Sequence, residues 1–176
     1  VAAGHSYGAN TTLMSAGARV VREGTAIELR DPRYSAAIVI SAPPFYGETS
    51  PQRVLAGIRV PSLHITATED VIQIPGYLSG VEDRLSIFNA MGNGGNGGNG
   101  GKGSQVPKVL AVFKGGSHSI FTDRAGTGGA LLNPQVKAAT QALSTAFLGS
   151  VFGGDSAALQ QAGQRLGSLL ARFSQR

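Results

Sequence analysis

Residues 36–42 read AAIVISA, a run without charge whose centre, Ile38–Ile40, is entirely β-branched and which Pro43-Pro44 closes. An uninterrupted apolar run of this length suits a strand covered on both faces, which is the condition of strands in a parallel sheet. Outward from it, 61–67 (PSLHITA) and 108–113 (KVLAVF) read the same way. The segments between them have helical spacing. Leu13, Met14, Gly17, Val20 and Val21 predict a helix from about Ser6 to Glu23. Pro51–Gly57 is a weaker one, and Leu85, Phe88 and Met91 face inward from Val81–Met91. Asn133-Pro134 is read as a helix start, with Asn as cap and Pro in the first turn, followed by a stripe of Val136, Ala139, Leu143, Ala146 and Phe147. A last helix is expected after Asp155, with Leu159, Leu166, Leu169, Leu170 and Phe173 on one face. Helix and strand alternate, so the expected class is α/β, with a mostly parallel sheet of about three strands flanked by helices.

The 176 residues form one expected domain, 1–176. Hydrophobic residues are 41% of the chain, enough to exclude disorder throughout. Gly is the outlier, and eight of the 26 fall in Gly92–Gly103 (GNGGNGGNGGKG). That composition cannot pack a core, so 92–104 is read as a low-complexity Gly/Asn insertion. The absence of cysteine excludes disulfides, thiolate metal sites and a Cys nucleophile. The formal charge of +5 comes from scattered residues, and the chain has no Trp for base stacking, so no nucleic-acid partner is expected. No run approaches the ~20 apolar residues of a membrane span, and no basic-then-apolar leader opens the chain. The three His have no ligand-type spacing, so neither a metal nor a cofactor is expected.

Parallel sheets present functional residues in the loops at the carboxyl ends of their strands. The chain opens Val-Ala-Ala-Gly4-His5-Ser6-Tyr7-Gly8, a G-x-S-x-G pattern at a helix start. Such a turn holds Ser in a strained conformation and exposes its hydroxyl beside a helix N-terminus, the two glycines avoiding clashes. The strand 61–67 ends in Thr68-Glu69-Asp70, and the strand 108–113 runs into Gly115-Gly116-Ser117-His118. Serine needs a base to take its proton, and an acid must hold that base in the right tautomer. Ser6, an acid at 69 or 70, and His118 therefore form a candidate nucleophile, acid and base. His5 is read as a packing and hydrogen-bonding residue, and His64, inside a buried strand, as a core histidine. Phe45, Tyr46, Ile72, Ile120 and Phe121 lie in or near the same loops and are candidate acyl-pocket residues, with ordinary packing as the alternative.

GHSYG, VPSLHITATED and KVLAVFKGGSH together resemble the carboxyl-terminal half of an α/β-hydrolase. Within that superfamily the VP-x-L-strand-x-ED and G-x-SH segments are most similar to the dienelactone-hydrolase-like group, which includes cutinase-like polyester hydrolases and platelet-activating-factor acetylhydrolase-like enzymes. The resemblance implies Ser6 as nucleophile, Asp70 rather than Glu69 as acid, His118 as base and the Tyr7 backbone N–H as an oxyanion donor. It implies a serine esterase acting on small-molecule or polymeric carboxylic esters, and it favours an exported protein. The alternative is a non-catalytic binding or structural protein that keeps the scaffold. In that family several strands precede the elbow and supply the first half of the sheet and a second oxyanion donor. Val1–Ala3 is short for a buried strand, so a partial fold, negligible activity in isolation, and self-association through an exposed Ala36–Ala42 edge are expected.

Overall fold

The structure, a computed structural model, describes residues 1–91, 106–123 and 132–176. The expected insertion at 92–104 lies outside the described residues. The elements in chain order are β1 (Ala2–His5), α1 (Tyr7–Ala16), β2 (Arg19–Arg22), β3 (Thr25–Glu28), β4 (Ala37–Ile40), α2 (Pro51–Leu55), β5 (Ser62–Ala67), β6 (Ile72–Ile74), β7 (Tyr77–Ser79), α3 (Val81–Ala90), β8 (Lys108–Phe113), α4 (Leu132–Gly153), α5 (Ser156–Arg165) and β9 (Leu170–Gln175). The fold is mixed α/β. A five-stranded sheet runs β1-β4-β5-β8-β9, parallel except for the antiparallel β9, with helices on both faces.

Alternation along the central strands sorts their side chains between two cores. Ala37 and Val39 of β4 face the side covered by α1, α2 and α3, together with Leu13, Val54, Leu55 and Ile87. Ile38, then Leu63, Ile65 and Ala67 of β5, then Val109, Ala111 and Phe113 of β8 face α4 and α5, where Val136, Leu143, Phe147 and Leu159 meet them. Every residue of β5 and β8 is buried. That double coverage is why these strands are mostly apolar, Ser62, His64 and Thr66 of β5 and Lys108 of β8 being the buried polar residues. Lys108 carries a charge. Its ammonium donates to the carbonyls of Phe88 (2.9 Å) and Met91 at the end of α3, where a cation is favoured by the helix dipole.

Several expectations are corrected. The sheet has five strands rather than about three. Ala2–His5 is long enough to pair with β4, from Ala2↔Ala37 to His5↔Ile40, so the Ala36–Ala42 strand lies inside the sheet and β1 is its edge. The first helix stops at Ala16, because Gly17 takes a left-handed conformation (φ 118°) and donates to the carbonyls of Leu13 and Met14. Residues 19–28 then form a hairpin around Glu23-Gly24, both at positive φ (51° and 78°), as a two-residue hairpin turn of the I′ kind requires. A second hairpin, β6–β7, turns at Pro75-Gly76. Asn133 is not a helix cap: it lies within α4, and its amide donates to the Ile120 carbonyl at 2.6 Å. Asp155 does cap α5, accepting from the Ala158 N–H at 2.9 Å.

The expected last helix ends at Arg165, and Leu170–Gln175 is a strand. A register shift at Val112/Phe113 skips Ala171, pairing Arg172 with Val112 and Leu170 with Phe113. The bulge turns a spacing of two into three. Leu170 and Phe173 both reach the α4–α5 core, and so imitate one stripe of a helix.

Candidate active site

Ser6 sits where β1 turns into α1. Its N–H donates to the Ile40 carbonyl at 2.9 Å, so the turn is tied to β4. Its backbone is held at φ 59° and ψ −126°, a conformation that costs a non-glycine residue about 1–3 kcal/mol. A Cβ on Gly4 would lie 2.1 Å from the Gly8 carbonyl oxygen, so the first glycine of the motif is sterically required. A Cβ on Gly8 would meet nothing within 4 Å, so the second glycine answers no clash, contrary to expectation. Ser6 occupies the N-cap position of α1, yet its hydroxyl caps no backbone N–H. It is turned to His118 instead.

The Ser6 Oγ lies 2.8 Å from His118 Nε2, and His118 Nδ1 lies 2.7 Å from Asp70 Oδ1. A carboxylate can only accept, so Nδ1 carries the proton and Nε2 is left to accept from the Ser6 hydroxyl. Asp70 is fully buried and is the one that meets His118, whereas Glu69 beside it is exposed. Asp70 Oδ2 accepts from Thr66 Oγ1 at 2.6 Å, and Oδ1 also accepts from Arg84 Nη2 at 3.4 Å. Burial by itself raises the Asp70 pKa. Hydrogen bonding from His118 and Thr66, with the charge of Arg84, outweighs burial and brings it to about 2. The acid is therefore an anion at neutral pH.

The loops that carry acid and base are bound to each other and to the sheet. Thr68 Oγ1 accepts from the Gly115 N–H at 2.8 Å, and the Thr68 N–H donates to the Phe113 carbonyl at 2.9 Å. Gly115 and Gly116 are both at positive φ (68° and 89°), and a Cβ on Gly116 would lie 2.8 Å from Ile120 Cδ1. His5 holds the base from below. Its Nε2 donates to the His118 carbonyl at 2.8 Å, and the two rings lie 4.8 Å apart between centroids. Burial, the larger effect, and the neighbouring His118 lower the His5 pKa despite that hydrogen bond. His64 lies in the core, 3.1 Å from Met91 Sδ and edge-on to Phe88; burial, then Lys108, lowers its pKa to about 3.

The pocket candidates divide. Phe45 belongs to the α1–α3 core, and Ile120 is fully buried in the α4–α5 core, so both side chains pack into the interior. Position in a loop says nothing about which way a side chain turns. Phe121 is half-buried between the rings of His5 and Phe113. Ile72 is half-buried, and Tyr46 is 83% exposed. Tyr7 is 62% exposed beside the nucleophile, and its N–H stands at the first position of α1, where a helix offers it no partner. No acidic side chain occupies the first turn of that helix, so its positive end is not neutralised.

The sequence did not point to Arg84, Thr66 or Ser41 as surroundings of the acid. Among the described residues, no group of three or more His, Asp or Glu is arranged to hold a metal, and no helix is long and apolar enough to cross a membrane. No family model matches the chain, and no curated protein matches it.

Proposed function

We propose that the chain is part of an α/β-hydrolase and that the whole protein hydrolyses carboxylic esters through Ser6, His118 and Asp70. The observation that carries this is the continuous relay from Ser6 Oγ to His118 (2.8 Å) to a buried Asp70 (2.7 Å). In the proposed reaction, Ser6 Oγ attacks the ester carbonyl carbon while His118 Nε2 takes its proton. The proton passes to the oxygen of the departing alcohol, leaving an acyl-serine. Water, deprotonated by the same nitrogen, then releases the acid and restores Ser6. Asp70 keeps Nδ1 protonated and stabilises the imidazolium. The Tyr7 N–H, at the positive end of α1, is one donor to the oxyanion. Small-molecule and polymeric esters both fit this chemistry, and the resemblance to the dienelactone-hydrolase-like group favours an exported protein.

A fluorophosphonate probe tests the proposal, since it needs an activated serine but no turnover. The expected result is a covalent adduct on the peptide containing Ser6, in this chain and in any longer natural form, lost in Ser6→Ala. Absence of the adduct from every form would favour a non-catalytic scaffold.

A further inference from the structure

Arg84 is a buried charge that the proposed reaction does not use. It stands in the first turns of α3 with its side chain 2% exposed, and among the described residues Asp70 is its ion-pair partner. Nη2 donates to Asp70 Oδ1 at 3.4 Å, the oxygen that accepts from His118, and also reaches the Ser79 carbonyl at 3.5 Å. Nη1 donates to Ser79 Oγ, which in turn donates to Asp83 Oδ2 at 2.6 Å. A guanidinium in a packed interior is expensive to desolvate, and a methionine or leucine would fill such a site without that penalty. Here the cation is held from behind by the last residue of β7 and pointed at the acid.

This inference rests on the hydrolase proposal and deepens it. We propose that Arg84 is a positioning residue: it fixes the Asp70 carboxylate for His118 and offsets part of the carboxylate's charge. The charged and titratable groups around the pair are Arg84 and, through Ser79, Asp83 from α3, His5 from β1, and His118 itself; Thr66 and Ser41 add neutral hydroxyls. Without Arg84 the Asp70 anion would stand unopposed, and the pH dependence of reaction at Ser6 would move to higher pH. Arg84 also couples the β6–β7 hairpin, through Ser79, to the acid.

The test is the pH dependence of fluorophosphonate labelling in wild type, Arg84→Gln, Arg84→Lys and Ser79→Ala, each checked for a cooperative thermal transition. The far-downfield imidazole N–H proton of the Asp70–His118 bond is followed by NMR in parallel. Arg84→Gln should move the acidic limb of the labelling profile up by roughly one pH unit. Arg84→Lys keeps the charge and should leave the limb in place while lowering the plateau rate about tenfold, because the two-sided hold on carboxylate and hairpin is lost. Ser79→Ala should do the same more weakly. The imidazole proton should shift or broaden in all three. A folded Arg84→Gln with the wild-type limb overturns the proposal. Should that variant not fold, a wild-type plateau and an unmoved imidazole proton in Arg84→Lys and Ser79→Ala overturn it equally. A wild-type protein that never labels refutes the hydrolase proposal instead, and the imidazole proton still reads Arg84's hold on Asp70.

Discussion

Asp70→Asn keeps the shape of the acid and removes its charge, so its effect can be worked from the surroundings. In the folded chain the carboxyl titrates at about 2, against an ordinary 3.8. The folded state therefore binds this proton less readily than the unfolded state, and the ionised carboxylate stabilises the fold above pH 3.8. At ~1.36 kcal/mol per pH unit, the difference is worth about 2 kcal/mol at neutral pH. Loss of the countercharge to Arg84 adds to the deficit of the Asn variant. As pH falls from 3.8 through about 2, wild-type Asp70 becomes protonated and its advantage disappears. Linkage leaves about 0.5 kcal/mol or less of it at the lower value. The assay is urea unfolding of both proteins at pH 6, 4, 3 and 2, read by circular dichroism. The gap between them should be about 2 kcal/mol or more at pH 6 and should close steadily below pH 4. A gap that stays the same from pH 6 to pH 2 would refute the account of Asp70 as a buried, multiply bonded anion.

Other outcomes follow from single contacts. Gly4→Ala places a Cβ 2.1 Å from the Gly8 carbonyl oxygen and should destabilise by about 1–3 kcal/mol and abolish Ser6 labelling, whereas Gly8→Ala meets open space in a helix and should be neutral or stabilising by up to about 1 kcal/mol; thermal unfolding of both separates them. Ile120→Ala should cost about 2–5 kcal/mol in urea unfolding, while Tyr46→Ala, at an exposed position, should stay within about 0.5 kcal/mol. His64, held at about 3 by burial, resists the proton that the unfolded chain accepts at 6.5. Wild type should therefore lose stability as pH falls below 6.5, and His64→Gln should flatten that part of the curve; an unchanged slope would remove His64 as its source.

The parts of this fold legible in the sequence are those where one physical condition dominates. β4, β5 and β8 are covered on both faces and so are rich in apolar and β-branched residues, with Ser62, His64, Thr66 and Lys108 as the buried polar ones. The elbow is legible because a strained turn needs Gly4, and the acid and base loops because they follow buried strands. Other segments carry two signals at once. Arg19–Arg22 continues the helical spacing of Leu13, but Gly17 and the Glu23-Gly24 turn override it. The bulge at Ala171 gives a strand the spacing of a helix. Arg84 reads as one more charge on a solvated helix face, since nothing local reveals that Asp70 and Ser79 enclose it. Phe45 and Ile120 show that a loop residue near the site can belong wholly to the core.

The main strands enter the sheet in chain order, each beside its predecessor: β1, β4, β5, β8, β9. No strand has to be inserted between two already paired, so the sheet can grow by accretion from one edge. The strained serine turn belongs to the edge strand β1, and its partner His118 is 112 residues away. Such long-range closures come late, because their loop entropy must be met before any contact compensates it. A chain that stalls before β8 has docked holds Ser6 without a base, and is chemically silent however much of the sheet it has built. Maturation of the site and docking of β8 are thus one event, and the appearance of probe reactivity during refolding is a clock for the arrival of β8.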